Sequence, residues 1–166
     1  MNQIVRCLLI LFITCSCSTD NLPEALSVIP DGIEVHHSEK IVYAEQNFDD
    51  PDEAGRYIWK YETTVSTSEP DLQIVEFGAY IWSGSKWEFR TVYNRPFNSE
   101  EFEMWYDCPD ARLQENSEYT DPSNWSKGDF LNGKESKALW YFIGENSKGE
   151  RYKGTCEIIS SGKMKY

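Results

Sequence analysis

The chain is poor in histidine and in positive charge, and no apolar run in it is long enough to cross a bilayer as a helix. Its only histidines, His36 and His37, are adjacent. Nucleophilic Ser–His–Asp or Cys–His chemistry needs an imidazole positioned inside a fold, so this class is not expected. Sixteen Lys and Arg stand against 28 Asp and Glu, a formal charge of −12. Nucleic acid is held by clustered cations on phosphate, so the charge balance excludes it as a partner and equally argues against a peripheral hold on anionic lipid. The sequence has no G-x-S-x-G, no Gly-rich phosphate loop and no C-x-x-C, which removes the chemistry those patterns serve. Internal repeats and low-complexity tracts are also missing.

Metal and cofactor signals are weak. His36 and His37 with Glu34 and Glu39 include ligand types for Zn or Cu, but adjacent histidines flanked by acids read better as solvated residues. Asp50 to Gly55 fails the EF-hand pattern, because Ala54 replaces a ligand and Tyr61 stands where the bidentate Glu belongs. No cofactor and no metal is therefore expected.

The N-terminus carries an address. Arg6 precedes the short apolar run Leu8, Leu9, Ile10, Leu11, Phe12, Ile13. About 20 apolar residues are needed to span a membrane, so this reads as the core of a secretory signal. Thr14-Cys15-Ser16-Cys17 follows. This segment resembles the lipobox of bacterial lipoproteins, in which small residues precede the cysteine that becomes the lipidated first residue. Cys17, preceded by Ser16, is the better match and Cys15 the other candidate; the pattern departs at Thr14, where a leucine is usual. The resemblance covers the first twenty residues. It implies a signal peptide over 1–16, a lipid anchor in the membrane, and an outer-membrane lipoprotein in the cell envelope, facing the periplasm or the surface.

Five cysteines fit that scheme. Cys7 and Cys15 leave with the signal and Cys17 takes the lipid. Cys108 and Cys156 remain, an even pair in a disulfide-permissive compartment. A bond between them would contribute on the order of 3–4 kcal/mol; two buried thiols are the alternative.

Residues 17–39 read as a tether and 40–166 as a single β-rich domain. Six Trp, ten Tyr and eight Phe are too many for a disordered chain. Strands are expected at 40–45, 56–65, 72–82, 86–93, 138–143 and 151–159, from period-two patterning and β-forming residues. In the 72–93 hairpin, Trp82 should pair with Trp87, Tyr80 with Phe89 and Gly78 with Thr91. Asn98 and Glu101 form a capping-box start for a short helix over 99–106, with Phe102, Trp105 and Tyr106 on one face. Residues 107–136 lack periodicity and read as a long loop. The expected fold is an antiparallel β-sandwich, the immunoglobulin-like arrangement being its closest architecture, with one short helix and that loop.

Two functions fit. The favoured one is a non-catalytic binding or interaction module for a glycan or an envelope protein. Its candidate contact residues lie in the long loop: Trp125, with Asp121, Asn124 and Asp129 beside it. The other is a small carboxylate hydrolase, for which Glu76, Glu88, Glu101, Asp107, Asp110, Asp121 and Asp129 offer too many acids for sequence to select a pair.

Overall fold

A computed structural model describes residues 22–48 and 55–166. The signal-like segment, the lipidation candidates Cys15 and Cys17, and the acidic turn at 49–54 lie outside the described residues.

The strand-rich expectation holds, but the strands form one curled mixed sheet, a half-barrel, in place of the expected antiparallel sandwich. The chain runs α1 (Glu24–Ser27), β1 (Ile33–His37), β2 (Ile41–Gln46), β3 (Tyr57–Thr67), β4 (Leu72–Trp82) and β5 (Trp87–Phe89). It continues with α2 (Ser99–Tyr106), β6 (Arg112–Leu113), β7 (Tyr119–Gly128), β8 (Ser136–Asn146) and β9 (Arg151–Met164). The sheet order is β1-β3-β2-β9-β8-β4-β5, with β6 also on β4 and β7 also on β3. A parallel pairing sets this topology: Ile41 and Val42 of β2 lie against Ile159 and Ser160 of β9. It fuses the β3 side and the β8 side into one surface, so no separate second sheet exists to pack as a sandwich.

The concave side is filled by α2. Phe102 and Tyr106 are fully buried there, and Phe77 of β4 touches Phe102, Trp105, Tyr106, Phe97 and Phe142 at ring-centroid distances of 5.0–6.0 Å. Each such buried ring contributes roughly 1.5–3 kcal/mol. The capping box forms as expected: the Asn98 side chain accepts from the Glu101 backbone N–H at 3.0 Å, and Glu101 accepts from the Asn98 N–H at 2.8 Å.

Period two is visible in β3, where Trp59, Tyr61, Thr63 and Val65 are buried on the concave side. In β4 a register shift between Ile74 and Glu76 changes the parity. Leu72 and Ile74 therefore join Phe77 in the main core, while Val75 packs with the convex cluster of Leu139, Tyr141 and Ile143. Strand β8 is apolar on both faces as expected of a central strand, with Trp140 and Phe142 concave and Leu139, Tyr141 and Ile143 convex.

Four expectations change. The segment read as a tether is built into the domain: Leu26 of α1 is buried on the convex cluster, and β1 pairs with β3 from Ile33↔Thr67 to His37↔Thr63. Buried Lys153 anchors it, its Nζ 2.8 Å from Asp31 and donating to the Ile29 carbonyl. The loop read at 107–136 contains β6 and the ten-residue β7, which runs along the edge of β3. Polar β7 shows no hydrophobic alternation, because one of its edges and much of one face meet solvent. No disulfide joins Cys108 to Cys156. Cys108 is buried at the end of α2, with the Tyr119 hydroxyl near its thiol, whereas Cys156 sits in the middle of the sheet, opposite Trp140. Finally, the hairpin pairs Trp82↔Trp87 and Tyr80↔Phe89 as expected but ends there. The Arg90 N–H still donates to the Ala79 carbonyl at 2.9 Å, but Phe77 meets Phe97 instead of leaving Gly78 to meet Thr91, so residues 91–96 swing away from the sheet edge.

Candidate functional site

The same departure opens a cavity. Helix α2 fills one end of the half-barrel between β4 and β7, and beyond it the concave face stays open. The hollow measures about 1080 Å³, large enough for a drug-sized ligand. Its floor is the concave face of the sheet: Trp59 and Tyr61 from β3, Ile158 from β9, Trp140 from β8 and Ala79 from β4. One wall is the edge of β7 and the 129–135 connection. The opposite wall is the 90–97 loop, with Trp105 of α2 closing the end.

The aromatic floor is rigid because its polar atoms are already engaged. Trp140 Nε1 donates to the Tyr61 hydroxyl at 2.8 Å, and Trp59 Nε1 donates to the Ser161 carbonyl at 2.8 Å. Both indoles thus present ring surface with no unmet N–H. Burial pushes the Tyr61 hydroxyl pKa well up, the Trp140 hydrogen bond opposing it, so this group stays a neutral phenol.

The rim gathers exposed apolar side chains. Val92, Tyr93, Trp125 and Phe130 all line the cavity and are all exposed, Phe130 to 84% and Trp125 to 40%. Apolar patches of this kind on a folded domain mark contact surfaces. Polar groups are interleaved: Asp121, Ser123, Asn124, Ser126, Asn132 and Ser160.

Of the four contact residues expected from sequence, Asp121, Asn124 and Trp125 line the cavity. Asp129 does not; its carboxylate accepts the Gly55 N–H at 2.6 Å and ties the end of β7 to the start of β3. Asn124 is buried, donates to Thr63 Oγ1 at 2.8 Å and accepts from the Trp125 N–H at 2.8 Å. Asp121 Oδ1 accepts the Ser123 N–H at 2.9 Å. These side chains cap the backbone of an edge strand that would otherwise expose unpaired groups. Burial raises the Asp121 pKa, and the Ser123 hydrogen bond partly offsets it. Trp125 faces the Lys60 side of β3, with the Lys127 ammonium 4.8 Å from its ring centroid. It stands on the rim and does not plug the core.

Beside Tyr61, on the same face of the sheet, lies a small part-buried polar group. His37 Nδ1 is 3.0 Å from Thr63 Oγ1, and its ring meets Tyr61 edge-on at 5.2 Å. Burial pulls the His37 pKa down to about 4 against the raising effect of the Cys156 backbone. His36, one residue earlier on β1, is exposed. Neighbours on a strand point to opposite faces, so the histidine pair cannot share one metal.

The carboxylates do not converge. Glu76 accepts from the Tyr141 hydroxyl, Glu88 lies by Lys86 and Glu101 by Arg95. Asp121 and Glu135 are the acids that line the cavity. Glu135 precedes Ser136, whose partner Ser160 reaches Ser126. Asp121 is five residues up β7 from Ser126, about 16 Å at ~3.3 Å per residue. Glycosidase pairs stand at most about 9.5 Å apart.

Sequence reading missed the floor residues Trp59, Tyr61 and Trp140 as site residues, since alternation marks them equally as core. It also missed Tyr93 and Phe97, which the excursion after β5 brings to the cavity, and Trp105, which α2 brings there. No protein-family model and no curated protein sequence matches the chain. Among solved structures it is similar to a crystal structure of a Bordetella pertussis protein assigned as ApaA, at 10% identity and a TM-score of 0.47, over 83% of this chain and 98% of that one.

Proposed function

We propose that this chain is a lipid-anchored envelope protein whose domain is a non-catalytic binding module, taking a glycan into the open end of the half-barrel. The observation that carries the reading is the cavity of about 1080 Å³ with Trp and Tyr rings on its floor and rim and hydrogen-bonding side chains between them. Sugars offer apolar C–H faces to aromatic rings and hydroxyls to polar groups, so a wall mixing both types suits them better than a uniformly apolar ligand. The hydrolase alternative gains no support from the placement of the cavity's two acids, since Asp121 lies about 16 Å along β7 (at ~3.3 Å per residue) from Ser126, which marks the end where Glu135 sits.

The address rests on the lipobox-like Thr14–Cys17 segment. Intact mass of the membrane fraction tests it. The full chain should carry a diacylglyceryl mass at its new N-terminus, and Cys17→Ser should abolish it. An unmodified soluble product from the unaltered chain refutes the anchor.

The binding reading is tested with the Cys17→Ser chain and a panel of neutral and acidic oligosaccharides, followed by tryptophan fluorescence and calorimetry. Trp125→Ala should weaken the bound glycan about tenfold while changing unfolding free energy by under about 1 kcal/mol, since the ring is exposed. Capture of an envelope protein through Val92, Tyr93 and Phe130, with no glycan bound, would replace the glycan by a protein partner. Unchanged binding in Trp125→Ala removes the rim from the site.

A further inference from the structure

The start of the domain limits which way the sheet can face. Leu22, the first described residue, packs on the convex cluster of Leu26, Leu139, Tyr141 and Ile143. Cys17, the lipidation candidate, stands five residues before it. A chain spans at most about 3.6 Å per residue, so the segment from Cys17 to Leu22 reaches no further than about 18 Å. A domain of this length has a radius of gyration of about 15 Å and is roughly 38 Å across, about twice that reach. An acyl chain on Cys17 therefore holds the convex side near the bilayer, on a leash too short for the far side to turn to it.

The convex side carries the surface that such a position calls for. Trp82 and Trp87 pair across the β4–β5 hairpin with ring centroids 5.2 Å apart, and Tyr80 meets Phe89 at 5.6 Å. All four are half-buried, and Tyr80, Trp87 and Phe89 pack on the same cluster as Leu22. β5 ends the sheet, so this stripe lies at an edge. Val28, at the end of α1, is 81% exposed. Trp and Tyr favour the headgroup level of a bilayer, where the ring is buried and its polar atom stays wet. Acids on this face are engaged. Glu76 accepts from the Tyr141 hydroxyl at 2.8 Å, Glu157 lies 4.0 Å from Lys137, and Asp31 lies 2.8 Å from Lys153. Glu24 of α1 is exposed, so charge does not draw this face to anionic lipid. The acyl chain supplies the hold and the aromatic stripe the contact.

From this we infer that the convex face is a membrane-contact surface. The Trp82–Trp87 hairpin and Val28 rest at the headgroup level of the phospholipid leaflet that takes the anchor, and the cavity on the concave face opens away from it. The inference rests on the lipid-anchor part of the reading above and is independent of the glycan.

The test uses the lipidated full chain, its acyl mass confirmed first, in phosphatidylcholine vesicles whose acyl chains are brominated near the headgroup. Bromine quenches tryptophan on contact. Two of the six tryptophans lie on the hairpin, so emission should fall by about a third relative to unbrominated vesicles. Trp82→Phe combined with Trp87→Phe should abolish the quenching. Trp125→Phe should leave it, because β7 lies across the sheet from β5. Hydrogen exchange gives a second reading that needs no substitution. Amides of 24–29 and 82–89 should exchange more slowly in the vesicle-bound chain than in the Cys17→Ser chain, and those of 91–97 and 129–135 around the cavity should not change. A chain that carries the acyl mass yet shows no quenching overturns the inference while the anchor stands. Quenching that survives the double substitution, or slowed exchange at 91–97 and 129–135 instead, does the same. Absence of the acyl mass overturns both.

Discussion

Truncating Phe77 to alanine should cost more than any other single change in the core, because this ring joins the sheet to α2. It is fully buried. It stacks on Phe142 of the neighbouring strand with rings nearly parallel at 5.5 Å, and meets Phe102, Trp105 and Tyr106 of α2 edge-on. A buried Phe→Ala change costs about 3–5 kcal/mol through lost transfer and a residual cavity. Aromatic pairs add about 0.5–1.5 kcal/mol each beyond area, and α2, clamped between β4 and β7, cannot collapse fully into the void. The value should therefore fall near the top of that range, about 5 kcal/mol, against a total of about 5–15 kcal/mol for a domain. For a chain of this size that is a fall in Tm of roughly 10–20 °C. Urea unfolding followed by tryptophan emission measures it. Phe77→Leu, which keeps most of the volume, should cost under about 2 kcal/mol. A cycle with Phe102→Ala should show coupling of at least about 1 kcal/mol, as expected for touching residues. A Phe77→Ala cost below about 1.5 kcal/mol, or strict additivity with Phe102→Ala, would show that α2 does not close the half-barrel through this ring.

Two further outcomes follow from buried titratable groups. His37 has a folded pKa of about 4 against 6.5 in the unfolded chain, so between those values the unfolded state binds the extra proton. Stability is intact above pH 6.5 and falls by about 1.4 kcal/mol per pH unit as pH drops towards 4, a loss of roughly 3 kcal/mol in all. The stability difference between the unaltered chain and His37→Gln should shrink by that much between pH 7.5 and pH 4, read from urea midpoints; parallel pH curves would refute it. Burial pushes the Cys108 thiol up to about 11, and the thiolate is the reactive form. Cys108 should therefore resist alkylation in the folded protein and react in denaturant without reductant, by mass mapping. Failure to react in denaturant until reductant is added would restore the disulfide.

The sequence showed most where one face of an element is buried and the other is wet. β3 and β4, the register of Trp82 on Trp87, and the capped helix with its Phe102–Trp105–Tyr106 face were all legible, because burial writes a period into the chain. The two-faced apolar run of β8 marked a central strand for the same reason. The parity change in β4 was not legible. A bulge shifts every later side chain to the other face, and nothing in Leu72 to Trp82 announces it. The sandwich expectation failed on the parallel pairing of β2 with β9. Strand patterning carries no information about partner or direction, and α2 took the place that a second sheet would have filled. At the N-terminus a signal was present, since Leu22, Leu26 and Ile29 sit at i, i+4 and i+7 and share the convex cluster. Pro23, Pro30 and Gly32 interrupt that spacing, and such residues read locally as turn or linker.

β7 is the instructive failure, because the residues that hid it also make the site. An edge strand pairs on one side and must stop further pairing on the other. This one does so with Asp121 and Asn124, whose side chains occupy the Ser123 and Trp125 N–H groups. Pro122 sits where the register with β3 slips between Tyr61 and Thr63, a place a sheet tolerates it. Asp, Pro, Ser and Asn in a row read as a loop by any local rule. The choice of Trp125, Asp121 and Asn124 as contact residues rested on that loop reading, yet all three line the cavity. The physical cause is shared. A strand with an open edge and a wet face carries the polar and aromatic residues that a ligand can reach, whether its backbone is extended or looped. Only the pairing of β7 with β3 gives those residues their fixed places, Asn124 opposite Tyr61, Asp121 opposite Thr63 and Trp125 opposite Lys60 on the other face of the strand. Weakening that pairing should therefore loosen the site before it unfolds the core.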